Sequence, residues 1–175
     1  MSGATSAGPA TPSPAGDTGL ILSLLDQAYD HASWHGTNLR GSIRRVTASQ
    51  AAWRPAPGRH NIWELTVHAA YWKYAAWRRL TGQTRGSFPI KGSNWFPRPV
   101  EKGMTEAAWR SDRLLLDRMH GLLRQAVREL SSRELRQTPR GSKVSNLSLL
   151  SGVAAHDLYH AGQIQILKRL SPGRS

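Results

Sequence analysis

Apolar positions in this chain recur in steps of three and four, the period of helices buried along one face, and show no convincing strand alternation. The first stripe, Ile21, Leu25, Ala28, Ala32, His35, Leu39 and Val46, predicts one helix from Leu20 that frays near Gly41. Thr47 and Gln50 form a capping-box pair for a short turn, and PAPG at Pro55 to Gly58 breaks the chain. Asn61 is a good N-cap for a second helix along Ile62, Leu65, His68 or Ala69, Trp72, Ala76 and Leu80, ending at Thr81-Gly82. Residues 83–103 carry Gly, Pro, Trp95 and Phe96 without a period and read as a long loop, a length often tied to function. Thr105 can cap a third helix along Ala108, Leu115, Met119, Leu122, Ala126 and Leu130, closed by SSREL and TPRG. A fourth runs from about Ser145 to Leu170, with Pro172-Gly173 stopping it. Four amphipathic helices joined by loops predict an all-α fold, a four-helix bundle.

At 175 residues the chain is long enough for one domain with a real core. The bundle is expected over residues 20–171, between a disordered tail at 1–19, rich in Ser, Gly, Ala, Pro and Thr, and a short tail at 172–175. The first tail has no basic region and no long apolar run, so it does not read as a signal peptide. No apolar run approaches the ~18 residues of a membrane span. The expectation is a cytoplasmic protein with no membrane partner; a homodimer is left open.

Composition narrows the chemistry. There are no cysteines, which excludes disulfides, thiolate metal sites and a cysteine nucleophile within the chain. Lys and Arg number 24 against 11 Asp and Glu, a net charge of +13. Such a balance suits nucleic acid, acidic surfaces or anionic small molecules. The basic residues are dispersed, with short clusters such as Arg44-Arg45 and Arg78-Arg79 and no long block, so nucleic-acid contact is expected to be nonspecific. A non-enzymatic basic bundle binding nucleic acid or another anionic partner is the alternative to an enzyme.

Two stretches share the HxxxH spacing, HASWH at His31 to His35 and HDLYH at His156 to His160. Residues four apart on a helix stand about 5–6 Å apart on one face, so two imidazoles can converge on one ion at roughly 2.0–2.1 Å. On the fourth helix both histidines fall on the seam Leu149, Val153, His156, His160, Ile164 and Leu167. Unpaired imidazoles there would cost about 1–3 kcal/mol for each unsatisfied group, which a shared cation removes. His68, between Leu65 and Trp72, supplies a third ligand from another helix. Three histidines with no obvious fourth ligand leave open positions, as at a catalytic and not a structural site. They suit Zn, Ni or Fe alike.

The first pair is weaker. His35 lies on its seam as a core histidine or pocket wall, while His31, His60 and His120 read as surface or loop residues. HDLYH also invites comparison with the HExxH of metalloproteases, but Asp157 is one methylene shorter than Glu and no downstream ligand pattern follows. Asp157 is expected to be an outer carboxylate near the metal, an arginine's partner, or exposed. Glu64, one turn before His68, either orients a ligand imidazole or is a solvated acid at a helix start.

The run HDLYHAGQIQILKRL resembles the closing helix of the DinB/YfiT-like superfamily of metal-dependent enzymes, whose pattern is HxxYHxGQ followed by apolar residues. WRPAPGRHNIWELTVHAAYWKYAAWRRLTG is similar to that family's approach to its second helix and its single metal histidine. The resemblance spans roughly Leu20 to Leu170 and implies a bundle of DinB/YfiT type with His68, His156 and His160 as metal ligands. Tyr159, Gly162 and Gln163 would complete the helix motif, Gly162 by letting a neighbour approach closely. WHG at Trp34 to Gly36 looks like a subfamily feature that would turn His35 toward the same cavity. Members with an assigned activity are transferases and isomerases that use a low-molecular-weight thiol, which implies a divalent ion, a thiol cosubstrate and a small electrophilic substrate. The strong positive charge departs from what the resemblance explains.

Overall fold

The computed structural model describes residues 16–100, 103–139 and 141–172. Among these residues seven helices follow one another: α1 (Asp17–Tyr29), α2 (Leu39–Ser42), α3 (Ala48–Ala52), α4 (Ile62–Thr81), α5 (Glu106–Arg128), α6 (Ser132–Arg136) and α7 (Asn146–Leu170). Among the described residues there is no strand. Helices α1, α4, α5 and α7 are long and form the bundle: α4 packs on α5 and α7, and α1 packs on α7 and α5. No helix among the described residues is long and apolar enough to cross a membrane.

Local chemistry explains most boundaries. The side chain of Asn61 accepts from the Glu64 amide to start α4, and Gly82 ends it at φ 64°, a left-handed position that favours glycine. Thr105, Ser145 and Thr47 cap α5, α7 and α3 in the same way, Thr47 within a complete capping box with Gln50. SSREL does more than close α5. Ser131 and Glu134 form a second capping box that makes α6 a helix of its own.

The predicted first helix is corrected at both ends. It starts at Asp17, inside the stretch assigned to the tail; residues 1–15 and 173–175 of the two expected tails lie outside the described residues. It stops at Tyr29 and does not continue to Gly41. The amides of Asp30 and His31 both donate to the Asp26 carbonyl, and Gly36 takes φ 94°. Asn38 then donates to the His31 carbonyl while its Oδ1 accepts from the Gly41 amide, starting α2. These side-chain and glycine preferences compete with helix and win over residues 30–38.

The core has two halves. One gathers Leu39, Ile43, Ile62, Trp63, Leu65, Phe96, Trp109, Leu116 and Ile164 around the start of α4. The other gathers Ile21, Leu25, Ala76, Leu123, Val127, Leu135 and Leu150 toward its end. Burying each large apolar side chain contributes about 1.5–3 kcal/mol. On α5 the buried stripe is turned from the expected one: Leu116, Leu123 and Val127 are buried, while Leu122 is exposed and Leu115 only half-buried. His120 is buried with them, not on the surface.

Candidate metal centre

Helix α4 presents His68 and α7 presents His156 and His160 to one point. The Nε2 atoms of His68 and His156 lie 3.1 Å apart, and those of His160 and His156 lie 3.0 Å apart. Among the described residues these three are the one group of His, Asp or Glu ligand atoms gathered closely enough to hold a metal ion. Tetrahedral ligands at about 2.0–2.1 Å from an ion would stand roughly 3.3 Å from one another, close to what is seen.

The protons sharpen this picture. The Asn94 carbonyl lies 2.7 Å from His68 Nδ1 and can only accept, so Nδ1–H donates and the neutral ring keeps a bare lone pair on Nε2. His160 Nδ1 likewise donates to Gln163 Oε1 at 2.6 Å. Two lone pairs therefore converge on His156 Nε2, which carries at most one proton and can satisfy only one of them. His156 Nδ1 is buried without a hydrogen-bond partner. A cation at the shared point would satisfy all three Nε2 atoms, so the donor set fits a divalent ion.

Burial keeps the cluster uncharged. It pushes His68 below the usual imidazole range, opposed by the Asn94 hydrogen bond, and pushes His160 down to about 4, opposed by Gln163. His156 falls to about 3, through burial first and then through its two neighbours in the cluster. Neutral imidazole is the form that binds a metal.

The long loop supplies the cover. Asn94 stands at φ 61°, a left-handed position that Asn tolerates, and its side chain accepts from Trp72 Nε1 at 3.0 Å. Trp95 stacks on His68 at 3.8 Å between ring centres and on His60 at 3.6 Å. The loop is pinned further along, where Asn61 Nδ2 donates to the Arg98 carbonyl and Arg98 Nε donates to Asp112. Side-chain patterns could flag Trp95 but not Asn94, whose role is played by its backbone carbonyl.

Other expected site residues stand elsewhere. Glu64 is buried but accepts from Arg54, His60 and the Arg98 amide, so it reaches His68 only through the His60–Trp95 stack. Asp157 is neither exposed nor paired with an arginine: it is wholly buried against Lys73. Tyr159 is 64% exposed, its ring centre 5.2 Å from that of His160 in a T-shaped contact. Gly162 has open space where a Cβ would be, so close approach does not require it. Trp34 is fully exposed and His35 is exposed, and no hydrogen bond or ring contact joins either to the cluster. With residues 30–38 outside any helix, the HxxxH spacing of HASWH places no two rings on one face.

Comparisons with curated proteins and with solved structures return no match. The sequence model of the DinB superfamily matches residues 31–164, well over half the chain and the span that holds all three histidines. By that match, together with a helical fold that brings His68, His156 and His160 to one point, the chain belongs to the DinB superfamily.

Proposed function

We propose that His68, His156 and His160 bind one divalent ion through Nε2, and that the protein is a metal-dependent transferase or isomerase using a low-molecular-weight thiol on a small electrophile. The observation that carries the metal assignment is the pair of Nε2 lone pairs set by Asn94 and Gln163 and aimed at a third imidazole. Among the described residues three protein ligands meet there, which leaves positions for an exogenous group. A bound divalent ion would supply Lewis acidity that stabilises a thiolate near neutral pH. A chain without cysteine must take that thiol from outside. The protein's own share is to hold the protons on the two Nδ1 atoms, to shield His68 with Trp95, and to leave an edge open at half-buried His156.

Elemental analysis of protein purified without an affinity tag tests the metal. About one divalent ion per chain is expected, and normal metal content in the H156A/H160A variant would overturn the assignment. Turnover of a test electrophile with glutathione, mycothiol or bacillithiol, abolished in that variant, is expected for the reaction class. Inactivity of the metal-loaded protein with all three would discard that class while leaving the metal site standing.

A further inference from the structure

A concavity lies on another flank of α7. It is a cleft of about 990 Å³ bounded by residues 30–38, the α2 segment through Arg45, and the end of α7. Gln165 and Lys168 follow His160 by five and eight positions, which turns them about 140° and 80° around the helix, while His156 and Gln163 turn about 40° and 60° the other way. None of the metal cluster's residues lines the cleft. The two sites are separate.

The lining is polar and cationic. Arg40, Arg44, Arg45 and Lys168 face it against one carboxylate, Asp30, which is already bonded to His31 Nδ1 at 2.7 Å. Arg40 spends Nε on Asp117 at 2.7 Å, and no hydrogen bond among the described residues engages its Nη groups. Arg44 and Arg45 are exposed and make no ion pair among the described residues. Arg54, Arg98 and Arg124 are matched elsewhere with Glu64, Asp112 and Asp26, whereas the cleft gathers cations with a single carboxylate among its lining residues. Arg45 takes φ 60°, a left-handed conformation that is unfavourable for a residue with a Cβ.

The walls are tied in place. Gln165 Nε2 donates to Thr37 Oγ1 at 3.2 Å, Lys168 Nζ donates to the Ser42 carbonyl at 2.9 Å, and Asn38 bridges the His31 carbonyl and the Gly41 amide. A preformed recess with three guanidinium groups and one ammonium against a single carboxylate matches a ligand with more than one negative charge, because each guanidinium fork can grip a phosphate or carboxylate with paired hydrogen bonds. We propose that this cleft binds a small-molecule polyanion, carrying phosphate or carboxylate groups, at a site separate from the three histidines.

Titration calorimetry of the full chain at about 0.15 M salt, with inorganic pyrophosphate and citrate as separate probes, tests this. The variants are R44A/R45G, in which glycine keeps the left-handed turn, and H156A/H160A. The expected result is saturable binding of at least one probe, weakened about tenfold or more in R44A/R45G and retained in H156A/H160A; which probe binds distinguishes a phosphate from a carboxylate ligand. Equal binding by wild type and R44A/R45G, or no binding of either probe, would overturn the proposal. So would loss in H156A/H160A alone, which would put the anion on the metal centre. A random-sequence DNA duplex run in parallel closes the last route: if it binds, and only its binding is lost in R44A/R45G, the arginines serve a nucleic-acid backbone and the small-molecule site is wrong.

Discussion

Lys73 on α4 ends against the carboxylate of Asp157 on α7, and both side chains are buried from solvent, one residue away from His156 and five from His68. The ammonium also lies over the Tyr29 ring and 3.4 Å from His120 Nδ1, so four helices meet at one buried charge. Burial pushes the Asp157 carboxyl up to about 6 against the pull of Lys73, and its Oδ1 has no hydrogen-bond partner. The pair is therefore imperfectly compensated and couples α4 to α7 beside the metal cluster.

Removing one partner should cost far more than removing both. K73M leaves Asp157 uncompensated and is expected to lower unfolding stability by about 3–5 kcal/mol, whereas K73M/D157L should recover most of that loss. Urea titrations of the three proteins check it. Equal destabilisation in the single and double variants would show that packing, not charge, holds the junction.

Acid should destabilise the fold through its buried histidines. Burial, aided by Lys73 and Arg124, holds His120 down to about 2 in the folded protein, whereas the unfolded chain protonates near 6.5. The unfolded state thus binds the extra proton. Stability is unaffected above about pH 6.5 and falls as pH drops from there toward about 2, by about 2 kcal/mol between pH 6.5 and 5 from this residue. Denaturation midpoints across that range should fall with pH, and more gently in H120Q.

Gln163 orients His160 through its Nδ1–H, at 2.6 Å. Q163A should weaken metal binding about 10–100-fold while leaving the three imidazoles in place. Competition against a chelator of known affinity measures it; an unchanged affinity would show that Gln163 takes no part in holding the ring.

Asn61 is wholly buried and serves two structures at once, capping α4 and donating to the Arg98 carbonyl of the covering loop. N61A should cost about 1–2 kcal/mol of stability. It should also loosen the loop that carries Asn94 and Trp95, seen as faster amide exchange there and weaker metal binding. A stability loss with unchanged loop exchange would confine Asn61 to its capping role.

The caps at Thr47, Asn61, Thr105 and Ser145 and the stop at Gly82 were legible because each is a local bargain between one side chain and amides three residues away, or one backbone angle. The three histidines were legible for a similar reason, since helical spacing alone puts His156 and His160 on one face and His68 on the inner stripe of α4. Periodicity located each buried face only to within about one position. That is why the periodicity of α5 points along Leu115 and Leu122 when Leu116 and Leu123 are the buried pair, and why it does not place Asp157 in the core. In the HASWH stretch an apolar step pattern continues through residues whose glycine and side-chain hydrogen bonds end the helix, so periodicity there overstates its length.

The sequence by itself determined the helical class, the capped boundaries and the pairing of His156 with His160 on one face, because all three depend on interactions within a turn or on the spacing along one helix; packing then brought His68 to that pair. Tertiary structure alone decided that Lys73 answers Asp157, that the Asn94 carbonyl sets the proton on His68, that His120 is buried, and that Arg44 and Arg45 border a cleft. A buried polar group is defined by what a distant element brings to it, and residues 26 to 88 positions apart carry no mutual signature until packing joins them.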